Sequence, residues 1–251
     1  MKCSMRRKRM NYKVNLSTKV KPVKKWSGFQ AVEPDDYTKA EIKKIKSKGY
    51  KLLAYLSIGT LEKERSWFNK FKHLRFQRLK DWPNEWYIDT SDPAWQKFLL
   101  NRAKKLKAMG FDGFWCDNVD VYEYNKKQAI FDGCRKILKS LKVIGYVMVN
   151  GGSEFFDRAM DKKIKISAFV DGVTQEEVFT LIKDYSGKGK FGNQKTSQRR
   201  YYKKYLKRLK KHGVQTFLLE YSRNKATQKK IKDWCKKYSM TGYYIAKNVN
   251  L

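Results

Sequence analysis

Carboxylate and amide side chains recur where predicted strands end, and two of them are of types that can perform acid–base or nucleophilic chemistry. Asp117 ends the apolar run 113–117, and Glu176 follows the run 168–175. Two carboxylates that flank a glycosidic bond can divide the work, because one protonates the leaving oxygen while the other attacks or stabilises the anomeric carbon. The chain has two histidines, and its four cysteines show no CxxC spacing. We therefore predict no metal and no cofactor.

The side chains at the other strand ends are candidates for binding a sugar. Polar groups there can bind hydroxyls, and aromatic rings can stack on sugar faces. A single acid at such a position has a plainer interpretation, since it can cap the next helix or pair with a lysine. A whole set is harder to explain that way, because clustered carboxylates repel one another. The candidate substrate-binding residues are Glu33, Tyr55, Ser57, Asp89, Asn118, Asp120, Tyr122, Asn150, Glu220, Tyr221 and Tyr244.

Eight apolar runs, most of them followed by an amphipathic helix pattern, are the elements that would position these side chains. Continuous apolar runs are typical of parallel strands that are buried on both faces. Eight strand–helix units predict an α/β fold, a single (β/α)8 TIM-type barrel with a truncated last helix. An open doubly wound sheet is the alternative. The runs cover residues 28–34, 51–58, 86–89, 113–117, 143–149, 168–175, 215–220 and 242–246.

Two segments are strongly basic. Residues 1–25 contain no acid, so we assign them to a basic N-terminal tail and expect the barrel over residues 26–251. The loop at 185–193 contains three glycines and precedes a lysine-rich predicted helix over 197–211. In a barrel this loop would lie over the mouth that holds Glu176, where it is a candidate lid.

Three segments carry a resemblance to a known family. They are YLSIGT at 55–60, GFDGFWCDNVD at 110–120 and DGVTQEEVF at 171–179. They resemble signature segments of the endo-α-1,4-polygalactosaminidase-like glycoside hydrolases, and the similarity extends from about residue 26 to the end. The resemblance implies a TIM-type barrel and an α-linked amino-sugar polysaccharide, of the galactosamine or N-acetylgalactosamine type, as the substrate.

The resemblance also implies roles for individual residues. The Asp of the DNVD segment and the first Glu of the DGVTQEEVF segment are the family's proposed catalytic pair, which here makes Asp117 the nucleophile and Glu176 the general acid/base. A separation of about 5–5.5 Å between them would indicate a retaining enzyme, and about 6.5–9.5 Å an inverting one. Asp112 precedes its strand, so we expect a structural role for it. The chain departs from the family at Glu33, where an Asp is expected.

Composition excludes a disordered chain but leaves two other classes of function open. The 251 residues are 41% hydrophobic and 15% aromatic, and the formal net charge is +34. The positive electric field of such a charge attracts polyanions. One alternative is therefore a charge-driven polyanion-binding or nucleic-acid-binding protein. The other alternative is a catalytically idle carbohydrate-binding barrel. The same positive field should repel a polycation, so we expect an N-acetylated or anionic glycan as the substrate. It should also keep Asp117 ionised, because nearby positive charge favours the charged form of a carboxyl group.

The sequence gives little information about location and assembly. It has no run of about 18 apolar residues that could span a membrane, and no apolar stretch follows the basic residues 1–10, so no signal peptide is visible. Members of the resembled family are usually exported, and the localisation therefore stays open. We expect a monomer that binds a polysaccharide or oligosaccharide, with non-specific polyanion binding through the basic surface.

Overall fold

Strands and helices alternate along the chain in the computed structural model, which describes residues 9–251. The strands of that part are β1 (Asn11–Asn15), β2 (Gly28–Val32), β3 (Tyr50–Ser57), β4 (Thr60–Glu62), β5 (Arg75–Arg78), β6 (Glu85–Ile88), β7 (Gly113–Asp117), β8 (Tyr146–Asn150), β9 (Gly172–Glu176), β10 (Thr180–Asp184), β11 (Lys190–Asn193), β12 (Gln215–Tyr221) and β13 (Gly242–Ala246). The α-helices are α1 (Lys39–Lys46), α2 (Phe68–Phe71), α3 (Pro93–Met109), α4 (Val121–Tyr124), α5 (Gln128–Ile144), α6 (Ser153–Asp161), α7 (Thr196–Lys211) and α8 (Lys225–Lys237).

Eight of these strands form one parallel sheet, in the order β1-β2-β3-β7-β8-β9-β12-β13. Its two edges meet where the Met10 N–H donates to the Thr241 carbonyl at 2.9 Å, so the sheet curls into a nearly closed barrel. The predicted (β/α)8 barrel is confirmed, and the open doubly wound sheet is excluded. All eight carboxyl ends lie at one mouth, which is where side chains for binding and catalysis collect in this architecture.

The predicted set of barrel strands misses one strand and contains one that is wrong. The first barrel strand is β1, which lies within the assigned basic tail and pairs with β2 from Asn11–Gly28 to Asn15–Val32. Its short alternation of buried Tyr12 and Val14 is easily missed among basic residues. The predicted strand at 86–89 corresponds to β6, which instead forms a three-stranded antiparallel sheet, in the order β4-β6-β5, inserted after β3.

The helix boundaries follow the expected local signals. Asp92 begins α3, where its side chain accepts from the N–H groups of Ala94 and Trp95 ahead of Pro93 at the first helical position. Gly110 ends the same helix at φ 113°, in the left-handed region that favours glycine. Within residues 9–251 no helix joins β1 to β2 and none follows β13, so the outer ring of helices is incomplete.

Two layers of apolar side chains hold the barrel together. The larger lies between the sheet and the helices, and the smaller fills the barrel interior with residues such as Phe29, Trp115 and Phe217. Tyr12 crosses the interior, where its hydroxyl accepts from Trp115 Nε1 and from Thr174 Oγ1, both at 2.9 Å. This interior layer fills the barrel below the mouth.

Several smaller expectations can be checked against the fold. Asp112 has a structural role, because it accepts from the Leu52 N–H at 2.8 Å and pairs with Lys46 at 2.8 Å. Cys116, Cys134 and Cys235 are buried and free, as expected for small core residues. The expectation that Cys3 is a tail thiol falls outside the described residues. Across residues 9–251, no helix has the length and apolar character to cross a membrane.

Candidate active site

A cleft of about 770 Å³ opens at the carboxyl ends of the barrel strands. Its lining is acidic, although the protein as a whole carries a net charge of +34. The only basic side chain among the described lining residues is Arg65. Nine carboxylate side chains line the cleft: Glu33, Glu62, Glu64, Glu85, Asp117, Asp120, Glu123, Glu176 and Glu177.

The residues predicted to be catalytic lie next to each other in this cleft. Asp117 ends β7 and Glu176 ends β9, and these two strands flank β8, which ends at Asn150. Asn150 Nδ2 donates to Asp117 Oδ1 at 3.2 Å and to Glu176 Oε1 at 2.6 Å. One amide nitrogen therefore holds both carboxylates.

This shared nitrogen limits the distance between the carboxylates. Asp117 Oδ1 and Glu176 Oε1 cannot be farther apart than the sum of 3.2 Å and 2.6 Å. This limit applies to these two oxygens and not to the whole carboxyl groups, and it places the two acids side by side at the mouth. A separation of about 5–5.5 Å between the carboxyl groups is typical of retaining pairs, and about 6.5–9.5 Å of inverting ones.

Further hydrogen bonds orient each carboxylate. Tyr221, at the end of β12, donates its hydroxyl to Glu176 Oε2 at 2.7 Å. The backbone N–H of Asn118 donates to Asp117 Oδ1 at 3.0 Å. The two acids are thus fixed from neighbouring strands, which is the preorganisation that an active site requires.

The two carboxyl groups have raised pKa values. Burial raises the pKa of Asp117 to about 7, with a further increase from the nearby Glu176, while donation from Asn150 and the Asn118 N–H lowers it. Burial also raises the pKa of Glu176 to about 7, and donation from Tyr221 and Asn150 opposes this. The expectation that the positive protein keeps Asp117 ionised is wrong, because burial and a neighbouring carboxylate outweigh distant surface charge. At neutral pH the pair therefore tends to hold one proton.

Asn118 joins the end of β7 to the inserted sheet. Its backbone has φ 63°, a left-handed conformation that asparagine tolerates. Its side-chain amide lies within hydrogen-bond distance of Ser57 Oγ (3.0 Å), Thr60 Oγ1 (2.8 Å) and Glu85 Oε1 (3.1 Å). A Cβ on Gly59 would lie 1.8 Å from the Asn118 carbonyl oxygen, so only glycine permits this close approach.

Glu33, after β2, and Tyr55, on β3, both contact Arg65. The Arg65 guanidinium donates to both carboxylate oxygens of Glu33, at 3.0 Å and 2.9 Å, and to Glu62 at 2.6 Å. It also lies 5.8 Å from the centroid of the Tyr55 ring. The one arginine of the cleft is thus neutralised by its neighbours, so the lining is negative overall.

The structure brings most predicted site residues to the cleft. Those that line it are Glu33, Tyr55, Asp117, Asn118, Asp120, Asn150, Glu176 and Tyr221. Asp120 stands close to Asp117, and burial followed by the charge of Asp117 raises its pKa to about 6. Ser57 lies beneath this layer, where it accepts from Asn118.

The structure places four predicted site residues away from the cleft. Asp89 accepts from the backbone and hydroxyl of Ser91, so it caps a local turn. Tyr122 is buried against aromatic rings and accepts from Arg158 at 2.6 Å. Tyr244 is half-buried on β13, with Lys13 over its ring. Glu220 is fully buried.

Glu220 supports the segment that leads out of β9. Its carboxylate accepts from the N–H groups of Phe179 and Thr180, at 2.9 Å and 3.0 Å, and from the Thr180 hydroxyl at 2.6 Å. These bonds anchor the start of β10, which follows Glu176 and Glu177 closely in the chain. Its contribution to the site is therefore indirect.

Replacing Glu220 with alanine is expected to lower the free energy of unfolding by about 3 kcal/mol, because three buried donors lose their acceptor. Urea unfolding followed by circular dichroism measures this. The matched control is Asp233→Ala, an exposed acid on α8 that does not line the cleft and whose loss should cost less than about 1 kcal/mol. An unchanged unfolding midpoint for Glu220→Ala, together with a raised KM, would indicate a substrate contact instead.

Sequence reasoning missed the residues that the inserted segments contribute. Arg65, Glu62 and Glu85 come from the insertion after β3, and Tyr185 comes from the β10–β11 hairpin. The glycine-containing loop at 185–193 does lie at the mouth, as a hairpin turn and strand β11. Glu62 ends the short strand β4 and Glu85 begins the short strand β6, but nothing in their spacing connects them to β7 and β9.

Comparison with known proteins gives a family match and several relatives. The model of glycoside-hydrolase family GH114 matches residues 2–251. An uncharacterized protein from Deinococcus radiodurans is 34% identical over 82 residues, which are 31% of this chain and 27% of that protein. Uncharacterized protein MJ1477 of Methanocaldococcus jannaschii is 26% identical over 238 residues, 86% of this chain and 66% of that protein. The chain thus spans less than two thirds of the length of both relatives.

Two solved structures share the fold. The glycoside hydrolase domain of PelA from Pseudomonas aeruginosa has a TM-score of 0.77 at 15% identity, over 97% of this chain and 96% of that one. Aspergillus fumigatus Ega3, crystallised in complex with galactosamine, has a TM-score of 0.74 at 16% identity, over 96% of this chain and 92% of that one. At such low identities the likeness shows a common fold.

Proposed function

Because the chain belongs to glycoside-hydrolase family GH114, we propose that it cleaves an α-linked polymer of galactosamine type, using Asp117 and Glu176 at the barrel mouth. One observation carries this proposal: a single amide nitrogen, Asn150 Nδ2, donates to one oxygen of each carboxylate and so places the two acids side by side at the mouth. The family resemblance seen in the sequence assigns the same pair. In this proposal Asp117 is the nucleophile and Glu176 is the proton donor.

The reaction would proceed by two displacements. Asp117 attacks the anomeric carbon and forms a glycosyl ester, while Glu176 gives its proton to the departing glycosidic oxygen. Glu176 then takes a proton from water, and the resulting hydroxide displaces Asp117 from the anomeric carbon. Both carboxyl groups return to their starting states, and the product keeps its α configuration.

The raised pKa values suit this division. A pair that holds one proton near pH 7 contains both the carboxylate that attacks and the acid that donates. Tyr221 donates to Glu176 on the oxygen that Asn150 does not contact, which leaves Glu176 oriented during both proton transfers. Because Asn150 contacts both carboxylates, its amide can donate to whichever of them is negatively charged without moving.

The acidic cleft supports a cationic substrate. The expectation of an N-acetylated or anionic glycan rested on the net charge, yet the surface that would meet the substrate is lined by nine carboxylates and one neutralised arginine. An anionic glycan would be repelled there, whereas the ammonium groups of galactosamine would be attracted. Ega3, which shares the fold, was crystallised with galactosamine. We therefore propose a polymer with free amines as the preferred substrate.

Reducing-end release from a panel of polymers tests this proposal. We expect kcat/KM on de-N-acetylated α-1,4-galactosaminan to exceed that on the N-acetylated polymer by about tenfold or more, and no cleavage of an anionic polyuronate. Since attraction between exposed charges is screened by salt, the preference should shrink between low and high ionic strength. A preference for the acetylated or anionic polymer would overturn the substrate proposal, and no cleavage of any member would overturn the activity.

The two alternative functions find less support. An idle carbohydrate-binding barrel would not require two buried carboxylates at reaction distance, which cost stability. Polyanion binding has a candidate surface on the outside of the barrel, because α7 carries only basic charges. The basic side chains of α7 do not line the cleft, so binding there would not replace the activity proposed for the mouth.

A further inference from the structure

Two aromatic side chains from different insertions meet above the cleft. Trp82 lies in the β5–β6 connection and Tyr185 in the β10–β11 turn, and their ring centroids are 5.7 Å apart in a T-shaped contact. The insertions leave the barrel after β3 and β9, which are separated in the sheet by β7 and β8. The contact therefore bridges the strand ends that carry Asp117 and Asn150.

Both rings are unusually exposed for their size. Trp82 is 53% exposed and Tyr185 is 38% exposed, yet both line the cleft. Large aromatic side chains are normally buried in cores or used at contact surfaces. Each presents a flat apolar face and a polar tip, a combination that suits the CH-rich face and hydroxyl rim of a sugar ring.

The backbone on each side of the contact is held separately. On the first side, the Leu79 N–H donates to the Glu85 carbonyl at 2.9 Å, and the Glu85 N–H donates to the Trp82 carbonyl at 3.0 Å. On the second side, Arg223 donates to the Gly189 carbonyl at 3.1 Å. The rings can therefore separate without unfolding either turn.

The closed contact is weak. An isolated aromatic pair contributes little beyond the area it buries. Burial raises the pKa of Glu177, and the negative charge of Asp81, next to Trp82 in the chain, raises it further. Two like charges therefore face each other between the two insertions. At 5.7 Å the rings are already in contact, and a sugar ring fits between them only after they part.

We propose that Trp82 and Tyr185 form an aromatic clamp that opens to admit the polymer and then stacks on sugar residues outside the bond being cleaved. This rests on the proposed function, since it takes the substrate to be a saccharide chain. The clamp would bind several residues of a polymer together with the cleft, whereas a single sugar would occupy the cleft alone. Its contribution should therefore appear in polymer affinity.

Binding measured by isothermal titration calorimetry in the Asp117→Asn background tests the clamp without catalysis. The ligands are de-N-acetylated α-1,4-galactosaminan and the monosaccharide galactosamine. We expect Trp82→Ala and Tyr185→Ala each to raise the ratio of polymer Kd to monosaccharide Kd by about tenfold, a typical worth of one stacked ring. Tyr185→Phe keeps the ring and should raise that ratio by less than about twofold.

Phe76→Ala is the matched control, because Phe76 is a 41% exposed aromatic of the same inserted sheet that does not line the cleft. An unchanged polymer Kd in both alanine variants would overturn the clamp. An equal loss of polymer and monosaccharide affinity would also overturn it, since the rings would then only maintain the shape of the cleft. Failure of the wild-type protein to cleave the polymer would contradict the proposed function but not this binding result.

Discussion

Replacing Asp117 with asparagine is expected to lower kcat on the polymer by roughly 10³-fold or more. Asparagine keeps the size of the side chain and an oxygen that can accept from Asn150 and the Asn118 N–H, so the fold and the cleft should persist. The substitution removes the nucleophile and with it the glycosyl ester. Reducing-end assays under saturating polymer measure this effect.

Asp89→Asn is the matched control for that loss. Asp89 is also a carboxylate that follows a strand, but it accepts from Ser91 and does not line the cleft. Its replacement should change kcat by less than about twofold. Activity that survives in Asp117→Asn, or that falls equally in both variants, would remove Asp117 from the mechanism.

Replacing Glu176 with glutamine is expected to abolish polymer cleavage to a similar extent but to spare the first step on an activated substrate. A galactosaminyl fluoride has a good leaving group, so attack by Asp117 needs little acid assistance. The second step needs Glu176 as a base and becomes slow, so a burst of fluoride release followed by a low steady rate is expected. A loss of burst and steady rate together would contradict the acid/base role.

The same variant should change the pH dependence. In the wild-type protein both pKa values are raised to about 7, so kcat/KM should fall at low pH as the pair gains a second proton and at high pH as it loses its last one. Glutamine cannot ionise, and it also removes the charge that raises the pKa of Asp117. The alkaline decline should therefore disappear for the fluoride, and the acidic decline should move to lower pH. A profile that keeps its alkaline decline would assign the donated proton to another group.

The sequence was sufficient to predict the barrel and the centre of its site because both depend on local patterns. Parallel strands that are buried on both faces appear in the sequence as continuous apolar runs. The residues at the end of each run lie at the mouth, because the carboxyl ends of all barrel strands are on the same side. Asp117, Asn150 and Glu176 follow from this rule. The rule failed at Glu220, since a side chain at a strand end can also turn inwards and hold a neighbouring loop.

The remaining features depend on contacts between distant segments. Strand β1 has only two buried apolar side chains, Tyr12 and Val14, and its place in the barrel comes from pairing with β2 and closing against the segment before β13. Arg65 and Trp82 reach the cleft from an inserted sheet whose position no local spacing specifies. The change in the proposed substrate charge has the same origin, because net charge does not show how carboxylates and lysines are distributed between a cleft and the outer surface.

The site of the covalent intermediate tests the proposed role of Asp117 as the nucleophile. Glu176→Gln treated with a galactosaminyl fluoride should accumulate a glycosyl-enzyme, which can be located by peptide mass spectrometry after rapid acid quenching. We expect one sugar on the peptide that contains Asp117, and α-anomeric product when the wild-type protein turns over. A sugar on another carboxylate, or β-anomeric product without any trapped adduct, would contradict it.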